Sequence, residues 1–171
     1  MSDMLPPDDR VDAPLEHQAH HIAGAIYGTI LATAVVAAAA HDVTRVSQTF
    51  AVVAITSAVF WAAHVYSLSV AARIVVKRPL TWMEKQSIAV AEWPMLQSSW
   101  PILVALLLGS LGIIDKKTAS YLAVIVGIGA LFTYGVIMGR QEAVSWPKVL
   151  LNAVITAAFG IVILAMKVLV H

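Results

Sequence analysis

Residues 46–72 read VSQTFAVVAITSAVFWAAHVYSLSVAA, a run without Asp, Glu, Lys or Arg. A helix needs roughly 20 mostly apolar residues to cross the hydrocarbon core of a bilayer, and this run exceeds that. Four more runs of the same kind follow from the rest of the chain: Ile22–Ala40, Ile88–Ile114, Thr118–Gly139 and Val149–Met166. Glu92 is the only formal charge inside the five runs, and His64 is the only histidine. The expected fold is an all-α, polytopic integral membrane bundle of five transmembrane helices. Residues 16–171 form one transmembrane domain on this reading, with no room for a separate soluble domain.

Composition agrees. The chain is 60% hydrophobic and 12% charged over 171 residues, against about 25% charged in a soluble domain. The absence of Cys excludes disulfides, iron–sulfur clusters and thiol catalysis. Residues 1–15 hold three Pro and four Asp, which predicts a disordered acidic tail. An acidic leader does not resemble the basic start of a signal peptide, so the first run is expected to remain as a span. The heavy use of Ala and Val suggests a high-GC bacterial gene, and the expected location is the cell membrane, a bacterial inner membrane.

The connections set the orientation. His41–Arg45 is short enough for an antiparallel hairpin. Pro79 breaks the chain after the second run, and Thr81-x-x-Glu84 has the spacing of a capping box opening the next helix. Asp115-Lys116-Lys117 reads as a tight turn, and Arg140–Lys148 as a polar loop with Pro147 near the following helix start. With the N-terminus cytoplasmic, the inside carries Arg10, Arg73, Lys77, Arg78, Lys85, Arg140 and Lys148, and the outside Arg45, Lys116, Lys117 and Lys167. The excess of inside Lys and Arg favours an inside N-terminus and an outside C-terminus. Arg73, Lys77, Arg78, Trp82 and Lys85 have the composition of a lipid-headgroup anchor and do not suggest a nucleic-acid surface.

Small residues recur at spacing four: Gly24, Gly28 and Ala32, then Ala123 and Gly127, then Gly135 and Gly139. Such spacing lets helix backbones approach closely in lipid. The favoured use is packing within the bundle, ahead of a dedicated dimer interface.

The sharpest polar feature is His64 with Glu92. Along their helices His64 lies about 13 Å from Arg73, and Glu92 about 16 Å from Thr81. Both reference points belong near one interface, so the two groups share a depth. Tyr27 lies about 10 Å beyond His20 and His21 and reaches the same layer. A carboxylate facing lipid is disfavoured by a few kcal/mol, so Glu92 is expected to face the bundle, paired or protonated. A proton or cation relay is the functional reading; a buried polar pair that fixes helix register is the structural alternative. Trp93-Pro94 and Trp100-Pro101 predict kinks that free carbonyls near Val90 and Gln97, and discontinuous helices often build sites in transporters. Gln97 therefore joins His64, Glu92 and Tyr27 as an expected polar-core residue. Ser57, Trp61 and His64 form a stripe on the second helix, and Asn152 with Thr156 a shorter one on the fifth.

His17-x-x-His20-His21 has the spacing of a membrane desaturase box, but di-iron centres of that kind need several boxes and this chain has one. His17 and His21, four apart, remain weak candidates for holding a metal on a helix face. Axial haem ligation by His21 and His64 conflicts with their depths, about 10 Å apart, and no cofactor is expected. The small multidrug transporters share the small size and an intramembrane Glu; they have four spans, and no further motif matches. No complete catalytic set is visible, which argues against an enzyme. The leading expectation is a proton, ion or small-solute transporter or channel, acting as a homo-oligomer. The alternative is a non-transporting accessory or assembly subunit bound to another membrane protein.

Overall fold

A computed structural model of the chain describes residues 7–42, 45–141 and 145–170. The helices are α1 (Pro7–Asp42), α2 (Val46–Val76), α3 (Trp82–Ala91), α4 (Trp93–Gln97), α5 (Trp100–Ser110), α6 (Lys116–Gln141) and α7 (Trp146–Val170). No strand occurs among the described residues, and the fold is an all-α bundle. Among the described residues, three helical segments are long and apolar enough to cross a membrane: His21–Ala39 within α1, all of α2, and all of α6. Helix α7 is 25 residues long, and its Trp146–Val162 part is apolar.

Helix α1 starts at Pro7, inside the stretch expected to be a solvated tail. Proline is well suited to the first helical position. Residues 1–6 of that tail lie outside the described residues.

The run 88–114, expected as one kinked span, is instead divided into α3, α4 and α5. The breaks fall at Glu92 and at Ser98–Ser99, each immediately before a Trp-Pro pair. Pro94 and Pro101 both sit in the first turn of a new helix, where the missing N–H has no helical acceptor anyway. The Ser98 hydroxyl donates to the Met95 carbonyl at 2.8 Å, and that of Ser99 to Leu96 at 2.7 Å. At the second break these hydroxyls add bonds to the Met95 and Leu96 carbonyls.

The apolar core lies at the end of the bundle away from Glu92. It joins Ala32 and Val36 of α1, Val46 and Val53 of α2, Ile102, Ala105 and Leu106 of α5, and Ala119, Ala123 and Val124 of α6. Helix α7 packs along α6 and also meets α1. The small-residue pattern is used inside the molecule. A Cβ at Gly139 would lie 2.8 Å from the Val149 Cα, and Gly135 faces the Ala153 backbone of α7 as closely. Gly127 admits the Thr33 side chain of α1, and Thr33 in turn donates to the Thr29 carbonyl at 2.7 Å.

The connection before α3 is capped as its spacing predicts. Thr81 and Glu84 form a complete capping box: the Glu84 carboxylate accepts from the Thr81 backbone N–H at 2.7 Å, and Thr81 Oγ1 accepts from the Glu84 N–H at 3.3 Å. The tight turn expected at Asp115–Lys117 is shorter than that. Lys116 and Lys117 already belong to α6, and Asp115 caps it by accepting from the Thr118 N–H at 3.0 Å. Across the next connection the Arg140 guanidinium lies 4.8 Å from the Trp146 ring centroid.

Glu84 also accepts from both terminal nitrogens of Arg78, one of them at 3.0 Å. Arg78 first, and then Thr81, hold its carboxyl at about 2, below the ordinary 4.5. The folded value is the lower one, so the ionised carboxylate favours the folded loop above the ordinary value. That contribution is lost as pH falls through about 2. We expect amide protection in the first turn of α3, corrected for intrinsic exchange, to stay flat near neutral pH and decline through this acidic window. Glu84→Gln should remove the decline; an unchanged acidic profile in the variant would refute the assignment.

Candidate functional site

Helix α2 presents one stripe to the bundle. Val46, Thr49, Val53 and Ser57 are buried along it, and Trp61 and His64 continue it toward the break in the α3–α5 stretch. Trp61 meets Trp93 edge-on, with centroids 5.9 Å apart, and its indole nitrogen is buried without a hydrogen-bond partner among the described residues. One turn further along α2, His64 Nε2 lies 3.4 Å from Glu92 Oε2. The two residues singled out from the sequence are therefore in contact.

Their environments differ sharply. The Glu92 side chain is 2% exposed, and that of His64 is 43% exposed. Glu92 occupies the residue between α3 and α4, with ψ near 0°, and its N–H still donates to the Ile88 carbonyl at 3.1 Å. The break turns its carboxylate inward to α1. The carboxylate lies beside the α1 backbone at Gly24, where a Cβ would sit 3.8 Å from Glu92 Oε2, an ordinary contact. Four residues on, Gly28 meets the Met95 carbonyl and the Ser98 hydroxyl of α4. The break and the close approach at Gly28 together bring a carboxylate against α1 while an imidazole reaches it from α2.

Tyr27 does reach this layer. Its ring stacks on that of His64, with centroids 6.4 Å apart and planes at 26°. Yet Tyr27 is 49% exposed, so it covers His64 from outside the bundle and is not a core residue. Gln97 does not join the group. It is exposed, and five residues from Glu92 it points some 140° away around a helix. Ser98 and Ser99, whose hydroxyls are already bonded locally, are the buried polar residues there instead.

His21 lines an open groove between α1 and α3. His17 shares α1 with it, but the side chain of His17 lies outside the described residues. Among the described residues no group of three or more His, Cys, Asp or Glu is placed to hold a metal ion. The sequence did not single out His21 as a neighbour of this groove; its spacing of three from Gly24 was the only available signal.

The basic loop forms a second feature. Arg73, Lys77 and Arg78 line a shallow depression of about 380 Å³ with Val70, Ile74 and Pro79. Lys77 adopts a left-handed conformation, φ 53°, that ends α2. Trp82 and Met83 are each 79% exposed beside it. Cations, an exposed indole and a thioether thus share one end of the molecule.

No protein-family model, no curated protein and no solved structure matches this chain.

Proposed function

We propose that the chain is a multi-pass protein of a bacterial inner membrane and conducts protons or small cations through Glu92 and His64. One observation carries this reading: a carboxylate that is 2% exposed, set at a helix break and 3.4 Å from an imidazole on another helix. An imidazole in contact with a carboxylate can exchange a proton with it. Intramembrane ionisable groups are costly and tend to line ion and proton pathways. A helix interrupted beside such a group is a recurring way to build transporter sites.

In this reading five segments cross the bilayer: α1, α2, the interrupted stretch α3–α5, α6 and α7. The N-terminus is cytoplasmic and the C-terminus outside, following the Lys and Arg balance. Arg73, Lys77, Arg78, Trp82 and Lys85 then lie at the cytoplasmic headgroups, where each cation near an anionic surface contributes about 1 kcal/mol. Five helices scarcely enclose a pathway, so a homo-oligomer is the expected working form.

A second reading has one observation in its favour. His64 is 43% exposed on the side of the bundle, and a partner helix could cover it. The chain would then be an accessory subunit of a larger membrane complex. Purified protein in proteoliposomes under a pH gradient separates the two. The transport reading expects proton or cation flux from a homo-oligomer. Absence of flux, with stoichiometric co-purification of another membrane protein, would favour the accessory role.

A further inference from the structure

Helix α2 ends in a depression whose two halves differ in chemistry. Val70, Arg73 and Ile74 fall at i, i+3 and i+4, on one face of the helix. Lys77 stops the helix in a left-handed conformation, φ 53°. The chain turns there, and Lys77, Arg78 and Pro79 close the far side of the same depression. Outward from the apolar body of α2, the lining passes from Val70, through Arg73 and Ile74, to Lys77 and Arg78. The rise from Val70 to Lys77 is about 10 Å.

The three cations are not equivalent. Both terminal nitrogens of Arg78 donate to Glu84, and one also donates to the Pro79 carbonyl at 3.2 Å. The charge of Arg78 is thus matched. Glu84 is the one carboxylate between Val70 and Ala91, and Arg78 occupies it. Arg73 and Lys77 are exposed, and neither has a carboxylate partner among the described residues. They stand one turn apart, near enough to share a single phosphate.

Two unmatched cations beside an apolar wall select the occupant. A free phosphate gains nothing from Val70, Ile74 and Pro79. A phospholipid presents acyl carbons, ester oxygens and phosphate in the order in which the lining changes. Trp82 is exposed beside the same loop, and indole side chains favour the headgroup boundary. The backbone does not help an anion here, because the end of α2 is the negative end of its dipole. Side-chain cations therefore have to hold the phosphate.

We propose that this depression holds one anionic glycerophospholipid, with its phosphate between Arg73 and Lys77 and the acyl carbons nearest the ester against Val70 and Ile74. The proposal rests on the bilayer placement given above and not on proton conduction. It is more specific than attraction to a charged surface. The guanidinium fork of Arg73 fits two phosphate oxygens at once, and Lys77 adds a compact charge beside it. Lys85 carries the same charge in the same stretch but does not line the depression, so it separates a built site from a diffuse field.

The probes are phosphatidylglycerol and phosphatidylcholine with identical acyl chains. Each is added to the purified full chain in a neutral detergent, and bound lipid is counted by native mass spectrometry. One phosphatidylglycerol per chain should be retained, preferred over phosphatidylcholine by about tenfold or more. Arg73→Gln and Lys77→Gln should each lower that preference, and the double variant should abolish it. Both side chains are exposed, so the unfolding temperatures should stay at the wild-type value. Lys85→Gln should keep most of the preference. A loss equal to that in Lys77→Gln would mean a diffuse surface field and would overturn the site. Displacement of the lipid by an equal excess of inorganic phosphate would mean that the depression takes a free anion, and would overturn the lipid as occupant. A wild-type chain that retains both lipids equally would overturn the proposal outright. Recovery of the expressed chain in the soluble fraction would instead overturn the bilayer placement itself.

Discussion

Glu92→Gln is expected to abolish proton flux while leaving expression and thermal stability near wild type. The amide has almost the shape of the carboxylate, so it fits beside Gly24 and can still bond to His64. What it lacks is a titratable proton. His64→Ala should interrupt the same pathway, since its Nε2 lies 3.4 Å from the Glu92 carboxylate. The double variant should then be no worse than the worse single one, because residues acting in one step are not additive. The structural alternative makes a different demand. If the pair only fixes register, His64→Ala should cost on the order of 1–3 kcal/mol by stranding a buried partner, and Glu92→Gln should conduct normally. Full flux in Glu92→Gln, with the wild-type pH dependence, would end the relay.

The largest stability effect is expected at Gly28. A Cβ there would lie 2.9 Å from the Met95 carbonyl carbon, and nearer still to its oxygen and to Ser98 Oγ. These are mostly backbone and buried atoms, so they cannot swing away. Gly28→Ala should therefore push α4 off α1, at a cost of about 1–3 kcal/mol or more, read as a lower unfolding temperature in detergent. Gly24→Ala is the internal control. Its Cβ would meet Glu92 Oε2 and Met95 at 3.8 Å, ordinary contact, so its effect should be small. Since α4 begins at the residue after Glu92, Gly28→Ala should also move the carboxylate relative to His64 and impair flux. Equal unfolding temperatures for the two variants would contradict the close approach.

Several of these features were legible before any coordinates. The capping box at Thr81–Glu84 depends on residues three apart, and local chemistry settles it. Small residues at spacing four mark a face that another helix can approach, and Gly28, Gly127, Gly135 and Gly139 are used in that way. His64 and Glu92 could be assigned one depth because helix rise is constant, and they do meet.

Other features were not legible, for reasons that are physical. Trp-Pro pairs predict a disturbance, but whether a helix kinks or stops depends on local bonding that spacing does not show, such as the Ser98 and Ser99 hydroxyls on the Met95 and Leu96 carbonyls. Gln97 looked like a core residue because the Trp-Pro pairs free carbonyls beside it. Its direction depends on the geometry of α4 after the break, and that geometry turns it outward.

Composition and run length alone determined an all-helical chain with segments long enough to span a bilayer, since those properties need only counting along one dimension. Which helices meet, and at what angle, required the tertiary structure. The groove exists because α1 closes on α4 and leaves α3 apart. His21 stands on that groove, and Tyr27 covers His64 from outside, for the same reason. Local sequence sets the rotation of a side chain about its own helix axis, but the divergence of two helices depends on packing along their whole length.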